Sequence, residues 1–186
     1  IIPCYNEEAN VDTLHERIFI ALDKSNIKGQ IIFIDDASTD NTKQKLEAIA
    51  QKSKNVNVYY HPKNLGITAG WDTGIKYSLG KLVCFIDADL QNPPEEISRL
   101  YKEIIFSNVD LVQGFRSIIN RQKTLDYFFS RTLNIILNLI FGMNLKDNKS
   151  GFVIAAKETM DQILQRKFRY YLFCLLYTSD AADEGL

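Results

Sequence analysis

Apolar residues fall along this chain in two alternating rhythms. Gln30–Ile34, Val56–Tyr60, Lys81–Ile86 and Val109–Gln113 are apolar-rich runs of strand length. Between them lie longer stretches in which apolar residues recur at helical spacing. Ala9–Lys24 carries Val11, Leu14, Ile18 and Leu22 on one face, and Thr39–Lys54 does the same with Leu46, Ile49 and Ala50. Asp40 and Asn41 offer N-terminal caps to that second helix. Thr68–Leu79 predicts a short helix. Pro93-Pro94-Glu95-Glu96 predicts another helix start, because proline and acids are favoured in a first turn. Ile1-Ile2 reads as the end of a buried strand and Phe152–Ala155 as a sixth strand. Strands alternating with helices predict an α/β domain, with a mostly parallel central sheet flanked by helices.

Composition narrows the class. The 186 residues are 46% hydrophobic and 24% charged, with four prolines and nine glycines, which excludes a disordered or low-complexity chain. Twenty-two basic against 23 acidic residues leave a net charge of −1, so no nucleic-acid partner is expected. Cys4, Cys84 and Cys174 stand at no metal or redox spacing, which implies no disulfide framework and favours the cytosolic side. From Leu175 to Leu186 neither periodicity continues. Both ends read as cut, with 1–173 as one incomplete domain and 174–186 as a non-native or disordered tail.

Three strand ends carry acids: Pro3-Cys4-Tyr5-Asn6-Glu7-Glu8, Asp35-Asp36-Ala37-Ser38 and Asp87-Ala88-Asp89-Leu90-Gln91. Ligands of open parallel sheets sit beyond the carboxyl ends of the strands. Acids there also cap the next helix, but Asp87 and Asp89 precede the proline-started helix by several residues. In an extended segment, carboxylates at i and i+2 face one side, where they repel. A hard divalent cation removes that penalty, and Mg²⁺ is commonly held by one or two carboxylates plus substrate phosphates. Gln91 can add a carbonyl oxygen. A glycosidase pair needs carboxyls about 5–9.5 Å apart across the scissile bond, which one short loop fits poorly. The metal–diphosphate reading is favoured.

Pro3-x-Tyr5-Asn6-Glu7, Asp35-Asp36-x-Ser38-x-Asp40-x-Thr42, Asn64-x-Gly66, Asp87-Ala88-Asp89-Leu90-Gln91-x-Pro93-Pro94-Glu95 and Gly114-x-Arg116 together resemble glycosyltransferase family 2. The branch they resemble is the polyprenyl-phosphate glycosyltransferases, including dolichyl-phosphate mannose synthases, over about Ile1 to Tyr171. The resemblance implies a GT-A fold with a Rossmann-like nucleotide-binding half. It also implies a UDP- or GDP-linked sugar donor, Mg²⁺ or Mn²⁺, and inverting transfer to a polyprenyl phosphate at the cytoplasmic face of a membrane. Residues 1–173 are then the catalytic domain.

By the same resemblance, Pro3, Tyr5, Glu7, Ile34 and Asp36 hold the nucleoside. A carboxylate such as Asp36 can accept a hydrogen bond from a base ring N–H. Asp87, Asp89 and Gln91 hold metal and diphosphate, with Ala88 beneath the ribose or phosphate. Arg116 suits a phosphate as a planar, permanently charged fork, and Asp147 is a further candidate active-site carboxylate. Asp89, Arg116 and Asp147 are the candidate catalytic residues. The chain departs from the family pattern at Ala37, where glycine is usual, and at Val153, which follows Ser150-Gly151-Phe152 where arginine is frequent.

The stretch Thr124–Met143 is unusually apolar, with a polar stripe only ~100° wide if helical. Asp126, Arg131, Asn134 and Asn138 argue against a spanning helix. An in-plane helix at the membrane surface is expected, flanked by Arg116, Arg121 and Lys123, with Arg131 and Ser130 toward the acceptor phosphate. A buried core helix is the alternative. A phosphate acceptor is already anionic at neutral pH and needs no general base, unlike a sugar hydroxyl. His15 and His61 are accordingly assigned ordinary surface or packing roles. Two other readings compete: a family-2 transferase extending a polysaccharide, and a nucleotide-binding module without turnover.

Overall fold

A computed structural model of the chain describes residues 1–107, 109–114, 132 and 150–165. Strands and helices alternate as β1 (Ile2–Cys4), α1 (Val11–Lys24), β2 (Ile31–Asp35), α2 (Thr42–Lys52), β3 (Val56–Tyr60), α3 (Ile67–Tyr77) and β4 (Leu82–Phe85). A 3-10 turn at Pro94–Glu96 leads into α4 (Ile97–Ser107), followed by β5 (Leu111–Gln113), β6 (Val153–Ala156) and α5 (Lys157–Gln165).

β1, β2 and β3 form a parallel ladder, with Ile2 opposite Phe33 and Ile31 opposite Val56. A second ladder has the order β4-β6-β5. Two backbone bonds join them: Ile1 N donates to Cys84 O at 2.8 Å, and Ile86 N donates to Ile1 O at 3.3 Å. That is the slanted pattern of a parallel pair, so the strands run β3-β2-β1-β4-β6-β5. β6 is antiparallel to both neighbours. The reason is topological. The chain leaves β5 at its carboxyl end and returns at that same end, where Gly114 N donates to Phe152 O and Gln113 Nε2 to Ser150 O.

Apolar residues on the two faces of the sheet build two cores. Val11, Leu14 and Ile18 of α1, Leu46 and Ile49 of α2, and Ile97, Leu100 and Ile104 of α4 cover Ile31, Phe33 and Ile154. Trp71 and Ile75 of α3 and Met160 of α5 cover Val83, Phe85 and Ala155. All five residues of β2 are buried, as expected of a strand covered on both faces. α3 lies close to β1 because Gly70 and Gly74 face it: a Cβ on Gly70 would stand 2.9 Å from Pro3 Cβ, and one on Gly74 would overlap Ile1.

Arg116, Arg121, Lys123, Ser130, Arg131, Asp147 and residues 174–186 lie outside the described residues, as does the 124–143 stretch apart from Thr132. Among the described residues no helix is long and apolar enough to cross a membrane.

Candidate active site

The loops after β1 and β2 are knitted together by side chains reaching backbone N–H groups. Ser38 Oγ accepts from Asn6 N (2.9 Å), Thr42 Oγ1 from Glu7 N (2.8 Å) and Asp40 Oδ2 from Glu8 N (3.2 Å). In return, Asn6 Oδ1 accepts from Thr39 N (2.8 Å) and Glu8 Oε2 from Asn41 N (2.8 Å). Asp40 Oδ1 accepts from Thr42 N at 2.9 Å, so Asp40 serves the start of α2, while Asn41 makes no side-chain cap bond. The helix consequently begins at Thr42, not Thr39. Asn6 and Ala37 both adopt positive φ, 56° and 62°. At Ala37 this is a conformation that glycine adopts without steric cost, which accounts physically for the usual residue there.

Three strand ends meet electrostatically. Burial pushes the Glu7 carboxyl above its ordinary range; Asn10 Nδ2, donating at 2.7 Å, opposes this, and the charges of Asp89 and Asp40 add to the rise. Glu7 follows β1, Asp40 follows β2 and Asp89 follows β4, so the sheet gathers their charges at one edge. Tyr5 is exposed beside them, and Pro3 is half-buried against α3.

Asp36 is 4% exposed and held by three donors. Its Oδ1 accepts from Leu65 N at 2.9 Å and faces His61 Nδ1 at 2.6 Å; its Oδ2 accepts from Gly66 N at 2.8 Å. Gly66 has φ 82°, the left-handed region, which lets the loop turn its N–H groups inward before α3. His61 also meets Thr73 Oγ1 at 2.9 Å through Nε2. It is therefore a buried bridge between β2, β3 and α3, where the sequence had assigned an ordinary surface or packing role. The contact joins residues 25 positions apart, which periodicity does not encode.

After β4, Asp87 is half-buried, Ala88 is buried in the core at 4% exposure, and Asp89 and Gln91 are exposed. The chain turns at Leu90, φ 61°, and Asp89 Oδ1 accepts from Gln91 N at 2.9 Å. Asn92 Nδ2 donates to Asp87 Oδ2 at 3.5 Å. Arg17 on α1 grips Glu95 through Nε and Nη2, at 2.8 and 2.7 Å, and so anchors the turn that follows this loop. Ile34 and Ala88 bury their side chains, so contact with a ligand at either position falls to the backbone.

Among the described residues no group of three His, Cys, Asp or Glu side chains is close enough to hold a metal ion. Asp87, Asp89 and the Gln91 carbonyl nonetheless provide hard oxygen donors. That suits a Mg²⁺ or Mn²⁺ ion completed by diphosphate oxygens. Cysteine chemistry is disfavoured here: burial pushes the Cys84 thiol up to about 11, and burial together with Glu7 and Asp35 raises Cys4 well above its ordinary value.

The fold matches that of solved glycosyltransferases of GT-A architecture. Glucosyl-3-phosphoglycerate synthase from Mycobacterium tuberculosis aligns with a TM-score of 0.65 and 23% identity, covering 84% of this chain and 55% of that one. A mannosyltransferase from Pyrobaculum calidifontis, solved with GDP-Man and Mn²⁺, aligns with a TM-score of 0.59 and 17% identity, covering 88% and 45%. The chain belongs to glycosyl transferase family 2, whose sequence model matches residues 1–164. It is 35% identical over 149 residues to the undecaprenyl-phosphate 4-deoxy-4-formamido-L-arabinose transferase of Pectobacterium atrosepticum, covering 79% of this chain and 45% of that one. It is 30% identical over 169 residues to the dodecaprenyl-phosphate galacturonate synthase of Rhizobium johnstonii, covering 88% and 48%. The chain thus spans about half the length of these curated relatives.

Proposed function

We propose that this chain carries the donor-binding part of an enzyme that moves a sugar from a UDP- or GDP-linked donor to a polyprenyl phosphate. Transfer takes place at the cytoplasmic face of a membrane and inverts the anomeric centre. The observation that carries the proposal is that β1, β2 and β4 run parallel and end at one edge of the sheet, where the loops after them carry Glu7, Asp36, Asp40, Asp87 and Asp89. Such a concentration of negative charge suits a cation-bound diphosphate and would repel a bare one. The relatives named for polyprenyl-phosphate transfer support the acceptor.

In this reading Pro3, Tyr5, Glu7, Asp36 and the Ile34 backbone position the nucleoside, with the Ala88 backbone beneath the ribose or phosphate. Asp87, Asp89 and Gln91 would hold the cation beside the diphosphate. Bound there, Mg²⁺ or Mn²⁺ would act as a Lewis acid offsetting charge on the departing diphosphate. Arg116, Arg131 and Ser130 orient the acceptor phosphate, whose anionic oxygen attacks the anomeric carbon directly, opposite the leaving group. Asp147 is assigned to the same active-site surface. The test is transfer of labelled sugar into polyprenyl phosphate with EDTA and then with Mg²⁺ or Mn²⁺ restored. Activity lost and regained supports the proposal; full activity in EDTA refutes its metal half.

A further inference from the structure

The donors around Asp36 leave it little capacity to accept more. An ionised carboxylate offers about four acceptor positions, two on each oxygen. Oδ1 has both occupied, by Leu65 N at 2.9 Å and by His61 Nδ1 at 2.6 Å. Since the carboxylate can only accept, the Nδ1 position carries the proton, and Nε2 is met by the Thr73 hydroxyl at 2.9 Å. Oδ2 receives Gly66 N at 2.8 Å and keeps one position. The Asp36 side chain remains 6% exposed and that of His61 8%, so neither oxygen can turn to water for a different partner.

We propose that His61, by saturating Oδ1 of Asp36, makes this a site for a base with a single ring N–H, and so selects uridine over guanosine diphosphate sugars. This rests on the reading that Asp36 meets the nucleobase. Uracil presents one N3–H between two carbonyls and needs one acceptor. Guanine presents N1–H and N2–H side by side and is matched by two free carboxylate oxygens. Here its second N–H would lose water without gaining a partner, which costs about 10-fold or more in affinity. Cytosine offers its N4 amine beside an acceptor N3 whose lone pair opposes the carboxylate, and is a poorer match than uracil. His61 is a positioning and selectivity residue in this scheme, acting through Asp36 without touching the sugar or the reacting atoms.

The experiment is calorimetric titration of the full-length protein with UDP, GDP and CDP in Mg²⁺. The wild type is expected to bind UDP about 10-fold or more tightly than GDP. His61→Ala vacates one of the two Oδ1 positions and the space beside it, while Leu65 N keeps the other, so the UDP-to-GDP ratio should fall toward one. His61→Asn places an amide N–H near the lost Nδ1–H and should retain the preference. Wild-type affinity for GDP equal to or above that for UDP overturns the proposal. A ratio unchanged in His61→Ala removes His61 from it. If His61→Ala does not fold, the wild-type ratio and His61→Asn still decide. Asp36→Asn separates the two levels: lost UDP affinity in a cooperatively folded variant upholds the nucleoside role of Asp36, and unchanged affinity refutes that underlying reading itself.

Discussion

Gly151 lies directly against the carboxylate of Asp87: a Cβ added to it would stand 3.0 Å from Oδ1 and 3.1 Å from Oδ2. The segment leading into β6 is thereby packed against the first acid of the proposed cation-binding loop. Gly151→Ala should push that carboxylate by a few tenths of an ångström or more. Small misplacements at a reacting centre cost heavily in rate, so transfer should fall about 10-fold while thermal unfolding stays cooperative. Steady-state kinetics beside a melting curve checks this; an unchanged rate would show that Asp87 need not hold its observed position.

Ala37 is an opportunity for stabilisation. Its φ of 62° costs a residue with a Cβ about 1–2 kcal/mol, and glycine gives back about 0.5–1 kcal/mol through unfolded-chain entropy. Ala37→Gly should raise stability by about 0.5–1 kcal/mol in urea titrations. A loss of stability would mean that the Ala37 methyl makes packing contacts worth more than the strain.

Much of this was legible in the chain. Continuous apolar runs such as Ile31–Ile34 identify strands buried on both faces, and the 3.6-residue spacing of Val11, Leu14 and Ile18 identifies a helix face. Acids placed just after those strands mark the edge proposed to bear the ligand. The direction of β6 was not legible, because periodicity carries no sign; direction follows from where the chain re-enters at Ser150. Nor was the choice of Asp40 over Asn41 as the residue serving α2, since both types cap helices and only loop geometry decides. His61 was hidden for a different reason. Its partners Asp36 and Thr73 are distant in sequence, and a single histidine after a strand signals nothing about what it will meet.

Asp89 is exposed and its charge contributes to the raised pKa of Glu7, so neutralising it should separate folding from catalysis. Asp89→Asn should leave the melting temperature within a few degrees. It should lower the transfer rate by roughly 100-fold, equivalent to about 3 kcal/mol of transition-state stabilisation. Transfer kinetics and calorimetry on the same preparation measure both; wild-type rates would remove Asp89 from the cation site.

The Arg17–Glu95 pair gives a pH dependence with a definite sign. The hydrogen bond from Arg17 holds the Glu95 carboxyl below its ordinary value of 4.5, against a smaller opposing effect of burial. A folded-state pKa below the unfolded one stabilises the fold above the ordinary carboxylate range, and that stabilisation is lost as pH falls through the folded value. Both side chains are substantially exposed, so the effect is at most about 0.5 kcal/mol. Arg17→Met should therefore melt slightly below wild type at pH 7, with the deficit shrinking as the pH falls below the ordinary carboxylate value. A deficit that does not shrink on acidification would assign the effect to packing of the arginine stem.

The central claim is that the acceptor is a lipid phosphate. Its most direct test offers the full-length protein a labelled nucleotide-sugar with Mg²⁺, polyprenyl phosphate in detergent, and free oligosaccharides in the same reaction. The account predicts label in the lipid phase alone, an inverted anomeric configuration in the glycosyl phosphate, and loss of that label in Arg116→Ala. Label found only in oligosaccharide, with the polyprenyl phosphate unmodified, would contradict it.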